Sequence, residues 1–149
     1  MKTETAFWDS SALAPICVPE AASQFVGLRV RQHAPVVWWG SSVEVSSAIA
    51  RLHRARELTD EQRQGALRRL RMLKSGWREI LPGDELKEIA EGMPGKHGLR
   101  AADSLQLAAA LIWCEQRPAG MVFLCGDGRL SNAAKAEGFS VVELPQAAP

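Results

Sequence analysis

Four acidic residues stand in stretches of the sequence that are otherwise mostly apolar. Asp9 and Asp127 follow the short apolar runs AFW and MVFLC, and Glu44 and Asp103 lie in segments with helical periodicity. Carboxylates that converge at one place repel one another, and a divalent cation removes that penalty. Mg²⁺ and Mn²⁺ prefer oxygen ligands, and such ions polarise phosphoryl oxygens and activate water. Together the four acids predict a metal site for phosphate chemistry.

Each acid also has a purely structural interpretation. Asp9 can cap the helix that follows it, because aspartate is a favoured N-cap residue. Glu44 is the fourth residue of SSVE, a capping-box pattern in which it bonds only a backbone amide. Asp103 can stabilise a helix dipole from the first turn, and Asp127 with Gly128 is a common turn dipeptide. Taken singly, each residue fits the structural interpretation better than the catalytic one.

The elements that must position these acids are short apolar runs separated by helical stretches. The predicted strands cover residues 6–8, 36–39, 121–125 and 140–142. Predicted helices cover residues 19–32, a stretch from 41, a stretch opened by a capping box at 59–62, and residues 83–92, 100–115 and 129–137. Strands that alternate with helices indicate parallel β-α units. We expect an α/β fold, a three-layer α/β/α sandwich around a mostly parallel sheet of four or five strands.

Length and composition fit one domain covering residues 1–149. The chain has 149 residues, of which 46% are hydrophobic and 23% charged, and these values argue against a disordered protein. Residues 145–149 are expected to be a flexible tail.

Cys17, Cys114 and Cys125 share no metal-ligand spacing, so neither a disulfide framework nor a zinc site is expected. No apolar leader and no membrane-length segment is found, and a cytoplasmic location is expected.

Four segments resemble, in chain order, the motifs of the PIN domain family, in particular the VapC-type ribonuclease toxins of type II toxin–antitoxin pairs. DSSAL at residues 9–13 is similar to the opening Asp-x-Ser-Ala-Leu motif, and SVEV at 42–45 to the segment with the helical glutamate. GLRAADSLQLAAA at 98–110 is similar to the helix with the third acid, and FLCGDGRL at 123–130 to the last acidic element. Their order and combination are more specific than any one segment.

The resemblance implies a metal-dependent endoribonuclease whose four acidic residues bind Mg²⁺ or Mn²⁺ and act in catalysis. Carried onto this chain, those residues are Asp9, Glu44, Asp103 and Asp127. Ser11 takes the place of a small hydroxyl residue that orients the first aspartate or a water. The resemblance also implies an RNA substrate, a VapB-like antitoxin, a homodimer and no membrane partner.

One residue departs from the family pattern. Many relatives have Thr or Ser two residues before the last aspartate, where this chain has Cys125. Because sulfur is a poor substitute for a hydroxyl as a hydrogen-bonding partner, we expect the difference to affect the Asp127 side of the site.

A basic stretch lies between Arg51 and Arg78, where nine Lys or Arg residues face three acids, a surplus of six positive charges. Four of the basic residues lie close together on one predicted helix: Arg68, Arg69, Arg71 and Lys74. Such a stretch can bind RNA phosphates, and a solvated helix face is an equally good interpretation. The resemblance adds a third, because family members bind an antitoxin near this helical pair.

Two other classes of function are alternatives. A haloacid-dehalogenase-like phosphatase also begins with an aspartate after a strand, but its chemistry needs a second aspartate where this chain has Ser11. The non-enzymatic alternatives are a degenerate PIN-like binding module and a phosphoacceptor receiver domain. A degenerate PIN domain should have lost one of its acids, and a receiver should have paired acids near its start. The sequence shows neither feature.

Overall fold

The computed structural model describes residues 3–145, which form one five-stranded sheet and seven helices. The strands are β1 (Glu4–Trp8), β2 (His33–Trp38), β3 (Arg78–Ile80), β4 (Val122–Cys125) and β5 (Ser140–Glu143). The helices are α1 (Ser10–Cys17), α2 (Ser23–Gln32), α3 (Ser41–Arg54), α4 (Asp60–Gly76), α5 (Asp84–His97), α6 (Ala101–Trp113) and α7 (Gly128–Glu137). The strand order is β3-β2-β1-β4-β5, and every neighbouring pair is parallel. The expected α/β sandwich is confirmed.

Different helices cover the two faces of the sheet, because successive strand residues point to opposite faces. On β1, Phe7 packs in the core shared with α5, α6 and α7. Its neighbours Ala6 and Trp8 pack in the core shared with α1 to α4. All three are fully buried. A parallel sheet covered on both faces needs such apolar runs, which is why the strands lack a polar alternation.

Local signals fix the ends of two helices as the sequence predicts. The Thr59 side chain accepts from the Gln62 amide and the Gln62 side chain accepts from the Thr59 amide, so the capping box that opens α4 is confirmed. α7 ends at Gly138, whose φ of 111° lies in a region that glycine adopts without steric cost.

Two predicted helix bounds are wrong. α5 continues through Pro94 to His97 and stops only at Gly98, whose φ of 67° provides the left-handed C-cap. α2 begins at Ser23 rather than near residue 19. The Ser23 hydroxyl accepts from the Glu20 amide at 2.8 Å, and this bond holds the preceding residues in a turn.

Three further findings concern the cysteines, the helices and the end of the chain. Cys17, Cys114 and Cys125 are buried and free of disulfides. None of the helices within residues 3–145 combines the length and the apolar composition needed to cross a membrane. The expected tail falls almost wholly on residues 146–149, which lie outside the described residues.

Candidate active site

The carboxyl edge of the sheet carries all four predicted acids. Asp9 follows β1, Glu44 lies in the first turn of α3 after β2, and Asp127 follows β4 and precedes α7. Asp103 lies in the first turn of α6. Their charges affect one another: Glu44 and Asp103 both raise the pKa of Asp9 beyond what burial does. We call these four residues the acid cluster.

Asp9 is the buried member, with 2% of its surface exposed. Its carboxylate caps α1 by accepting from the Ser11 amide at 3.2 Å, and it also accepts a hydrogen bond from the Ser11 hydroxyl. Burial raises the pKa of Asp9 to about 6, although the Ser11 bonds oppose the rise. The residue therefore serves as a helix cap and is also a carboxylate with an uncompensated charge.

Ser11 joins Asp9 to the end of β4. Its hydroxyl accepts from the Gly126 amide at 2.8 Å while it donates to Asp9. A Cβ on Gly126 would lie 3.2 Å from the Ser11 carbonyl oxygen and 3.2 Å from Leu144, so glycine permits the close approach of the two segments. The contact locks the Asp9 carboxylate in one orientation.

Cys125 lies against the Asp9 carboxylate. Its Sγ is 3.7 Å from Asp9 Oδ2 and 3.8 Å from the Ser11 hydroxyl. Towards Asp127 the sulfur contacts only backbone, at 3.3 Å from both the amide nitrogen and the carbonyl oxygen. The thiol that departs from the family pattern therefore touches the Asp9 side chain, not the Asp127 side chain.

Glu44 is held by side chains on two other elements. Ser10 Oγ donates to Glu44 Oε2 at 2.7 Å, and Gln106 Nε2 donates to Glu44 Oε1 at 3.2 Å. α3 begins without a side-chain cap, because its N-cap residue is Gly40. The capping-box interpretation of Glu44 is therefore wrong, and its carboxylate faces α1 and α6 instead.

Gln106 is a site residue that sequence reasoning missed. It is fully buried, donates to Ser41 Oγ at 3.0 Å as well as to Glu44, and its Oε1 has no partner among the described residues. The carboxylate of Glu44 fixes the amide orientation because it can only accept. The available signal was one polar residue in LQLAAALIW, one turn after Asp103.

Asp103 and Asp127 form the more exposed side of the cluster. Burial raises the pKa of Asp103, and the charges of Asp127 and Glu44 add to the rise. The guanidinium groups of Arg100 and Arg129 offset part of it. Asp127 also caps α7, because its Oδ1 accepts from the Leu130 amide at 2.9 Å. Asp127 therefore has a structural role as a helix N-cap, where the sequence suggested a turn with Gly128, and it is also a member of the cluster.

The donor set fits a hard divalent cation. No three acidic, imidazole or thiol side chains within residues 3–145 are positioned as a joint ligand group for one ion. Mg²⁺ does not need such a group, because it usually binds one or two carboxylates directly and keeps several waters. Four carboxylates on one edge, with Asp9 raised in pKa, suit an ion bound in that way.

The basic residues of helix α4 differ in their contacts. Arg69 Nε donates to the Cys17 carbonyl at 2.7 Å, so that side chain holds α4 against the end of α1. Arg68, Arg71 and Lys74 are exposed, and none has an ion pair or hydrogen bond within the described residues. The four predicted binding residues thus divide into one with a structural contact and three that are available to a partner.

No family model and no curated protein sequence matches the chain. Solved structures do resemble it. PAE2754 from Pyrobaculum aerophilum aligns with a TM-score of 0.64 and 16% identity over 94% of this chain and 89% of that one. A toxin-antitoxin complex from Klebsiella pneumoniae aligns with a TM-score of 0.58 and 16% identity, over 83% of this chain and 87% of that one. FitAcB from Neisseria gonorrhoeae aligns with a TM-score of 0.60 and 14% identity, over 92% of this chain and 96% of that one. At these identities the likeness concerns the fold, which this chain shares with all three.

Proposed function

We propose that the chain is a divalent-cation-dependent endoribonuclease that acts as the toxin of a toxin–antitoxin pair. The observation that carries the proposal is the acid cluster, in which burial and neighbouring charge raise the pKa of Asp9 to about 6. Perturbed carboxylates concentrate at functional sites. The toxin role is supported by the shared fold with a toxin-antitoxin complex from Klebsiella pneumoniae.

The residues that would hold Mg²⁺ or Mn²⁺, directly or through bound water, are the four members of the acid cluster. When bound, the cation supplies charge at a phosphoryl oxygen and lowers the pKa of a water. The protein's own part is orientation. Ser11 fixes the Asp9 carboxylate, while Ser10 and Gln106 each donate to one oxygen of Glu44. These bonds fix two carboxylates before any ligand arrives, which reduces the reorganisation needed for binding.

The direct test is cleavage of single-stranded RNA in Mg²⁺, Mn²⁺ and EDTA. We expect cleavage with either cation and none in EDTA. Asp9→Asn and Asp103→Asn should abolish cleavage. Asp84→Asn is the matched control for Asp103→Asn, because Asp84 is also in the first turn of a helix but is exposed on α5. Cleavage in EDTA, or full cleavage by Asp9→Asn, would contradict the proposal.

The toxin role needs a test in cells. Induced expression of the wild-type chain should arrest bacterial growth, and expression of Asp9→Asn at the same level should not. Co-expression of a small DNA-binding protein encoded next to this gene should restore growth. Growth arrest by Asp9→Asn would separate toxicity from the acid cluster and contradict the proposed mechanism.

The exposed part of α4 is proposed to bind RNA phosphates or the antitoxin. Neutralising Arg68, Arg71 and Lys74 together should weaken RNA binding for all sequences alike, because phosphate contacts carry little sequence information. Arg69→Ala should instead lower thermal stability, because it removes the bond to Cys17. Loss of neutralisation by the antitoxin with normal RNA binding would assign the surface to the protein partner.

A further inference from the structure

Beside the acid cluster, a cleft of about 320 Å³ is lined by four charged residues: Arg100, Asp103, Asp127 and Arg129. Each of two helices contributes one residue of each sign, since Arg100 and Asp103 belong to the start of α6, and Asp127 and Arg129 to the start of α7. We call it the arginine cleft.

Both guanidinium groups are free of protein partners. Arg100 and Arg129 are exposed, and neither guanidinium group forms an ion pair or hydrogen bond within residues 3–145. Other arginines contrast with this pair, since Arg69 bonds a backbone carbonyl and Arg29 lies 4.9 Å from the Phe25 ring centroid. An arginine pair that faces acids without pairing with them has its donors available to a ligand.

The charge of the cleft indicates which ligand it can take. Two arginines and two aspartates balance, so the empty cleft attracts neither sign strongly. A divalent cation on the acid cluster would shift the balance to positive and favour an anion. A guanidinium presents its donors as a fork that matches phosphate oxygens, and such charge-assisted bonds are stronger than neutral ones.

The helices that line the cleft show where this anion would lie. Asp127 and Arg129 belong to the start of α7, which follows β4, the neighbour of the strand that ends before Asp9. α6 packs on the same face of the sheet as α7. The arginine cleft therefore lies on the Asp103 and Asp127 side of the acid cluster. A larger cleft of about 650 Å³ is lined mostly by residues of α1 and α3, among them Ser10 and Glu44, and these helices pack on the other face.

We propose that Arg100 and Arg129 hold a phosphate of the substrate strand in the arginine cleft, next to the bond that is cut. The inference rests on the proposed function, because it takes RNA as the substrate. It assigns to these two arginines the positioning of the strand and leaves the chemistry to the acid cluster.

The test measures binding apart from cleavage. Fluorescein-labelled single-stranded RNA is titrated, in saturating Mg²⁺, against the inactive Asp9→Asn chain, which keeps three carboxylates of the acid cluster, and against the same chain with Arg100→Gln and Arg129→Gln. We expect the two further substitutions to weaken binding roughly tenfold or more, because each removes a charge-assisted bond. The slope of log affinity against log salt should become shallower by roughly 1.4, about 0.7 for each lost contact.

A charge-matched control removes two arginines from the opposite edge of the sheet. Arg31 precedes β2 and Arg117 precedes β4, and both are exposed. Arg31→Gln with Arg117→Gln should weaken binding far less. Equal losses in the two double variants would overturn the inference, because only the net charge would then matter.

A second readout separates phosphate binding from simple compensation of the acids. If the arginines only offset Asp103 and Asp127, their removal should tighten Mn²⁺ binding to the otherwise wild-type chain and leave RNA affinity unchanged. That result would also overturn the inference. Failure of the proposed function looks different, because the wild-type chain would then cleave no RNA with any cation, whatever the arginine variants bind.

Discussion

Asp9 and Glu44, on one side of the acid cluster, meet only neutral donors, whereas Asp103 and Asp127, on the other side, lie beside two arginines. Hydroxyl and amide donors orient a carboxylate without cancelling its charge. The first side therefore keeps a net negative charge, and in Asp9 that charge is buried. The second side is partly exposed and close to electroneutral.

This difference indicates what each side can bind and what it costs the fold. Under the two proposals above, the side with neutral donors would gain most from a cation, and the side with arginines would accept an anion. Removing a charge should stabilise the fold at Asp9, where burial penalises the ionised form, and should do little at Asp127. The predictions below test that contrast.

The largest effect is expected for Asp9→Asn. The pKa of Asp9 is about 6 in the folded chain against 3.8 for an ordinary aspartate. The folded state therefore holds the proton more tightly, and stability falls as the pH rises from about 4 through about 6. A shift of two units corresponds to about 3 kcal/mol. In EDTA at pH 8, the free energy of unfolding of Asp9→Asn, measured by urea unfolding, should exceed that of the wild type by about this amount.

The pH dependence supplies the control for this variant. At about pH 4 the folded wild type carries a protonated Asp9, so the stability gap should nearly close. Saturating Mg²⁺ should also narrow the gap, because the wild type, with one more carboxylate at the site, should gain more stability from binding the cation. A gap that is equal at both pH values would show that a change in packing, not the buried charge, stabilises the variant.

Gln106→Met tests the donors on the same side. The substitution leaves Glu44 Oε1 and Ser41 Oγ without the Gln106 amide. Loss of a donor to a buried acceptor costs about 2 kcal/mol, and RNA cleavage should fall because the Glu44 carboxylate is no longer fixed. Ser104→Ala is the control, since Ser104 is buried on the same helix but its hydroxyl donates only to the backbone carbonyl of Arg100. Equal cleavage by both variants would remove Gln106 from the site.

Substitutions of Asp127 test the other side. Asn retains an N-cap oxygen for the Leu130 amide, so Asp127→Asn should change stability by less than about 0.5 kcal/mol in EDTA at pH 8. Asp127→Ala removes the cap and should cost about 1 kcal/mol. A stabilisation of Asp127→Asn as large as that of Asp9→Asn would break the contrast between the two sides.

The sequence was sufficient to predict the edge of the sheet that carries the acids. Asp9 and Asp127 end apolar runs, and parallel strands place such ends together. It did not predict β3, because Arg78–Ile80 is three residues long and has no apolar run. It also gave no bounds for α1, in which Pro15 lies inside the helix. Local patterns carry little information about elements that packing stabilises.

The partners of the acids were harder to predict than the acids. Gln106 and Glu44 are 62 residues apart, and nothing in either segment pairs them. The arginine cleft depends on two helix starts that meet only in the folded chain, so no pattern in the sequence pairs Arg100 with Arg129. Glu44 was ambiguous because a capping box and a site carboxylate share one pattern, and only the side chains of Ser10 and Gln106 decide between them.

Cys125→Ser should have the smallest effect, and it tests whether the thiol contributes to the charge of Asp9. Burial raises the pKa of Cys125 to about 12, so the side chain is a neutral thiol and a weak donor to Asp9 Oδ2 at 3.7 Å. A hydroxyl donates more strongly and favours the ionised carboxylate. The pKa of Asp9 should then fall. The loss of stability with rising pH should begin at a lower pH, and it should be smaller by less than about 1 kcal/mol.

The measurement for Cys125→Ser is the free energy of unfolding between about pH 4 and pH 8 in EDTA. Cys125→Ala, which has no donor and leaves a small cavity, should lose stability at every pH without that reduction. If the Ser and Ala variants show the same pH dependence, the residue at position 125 does not influence Asp9, and the hydrogen bonds that oppose the rise in the pKa of Asp9 come from Ser11 alone.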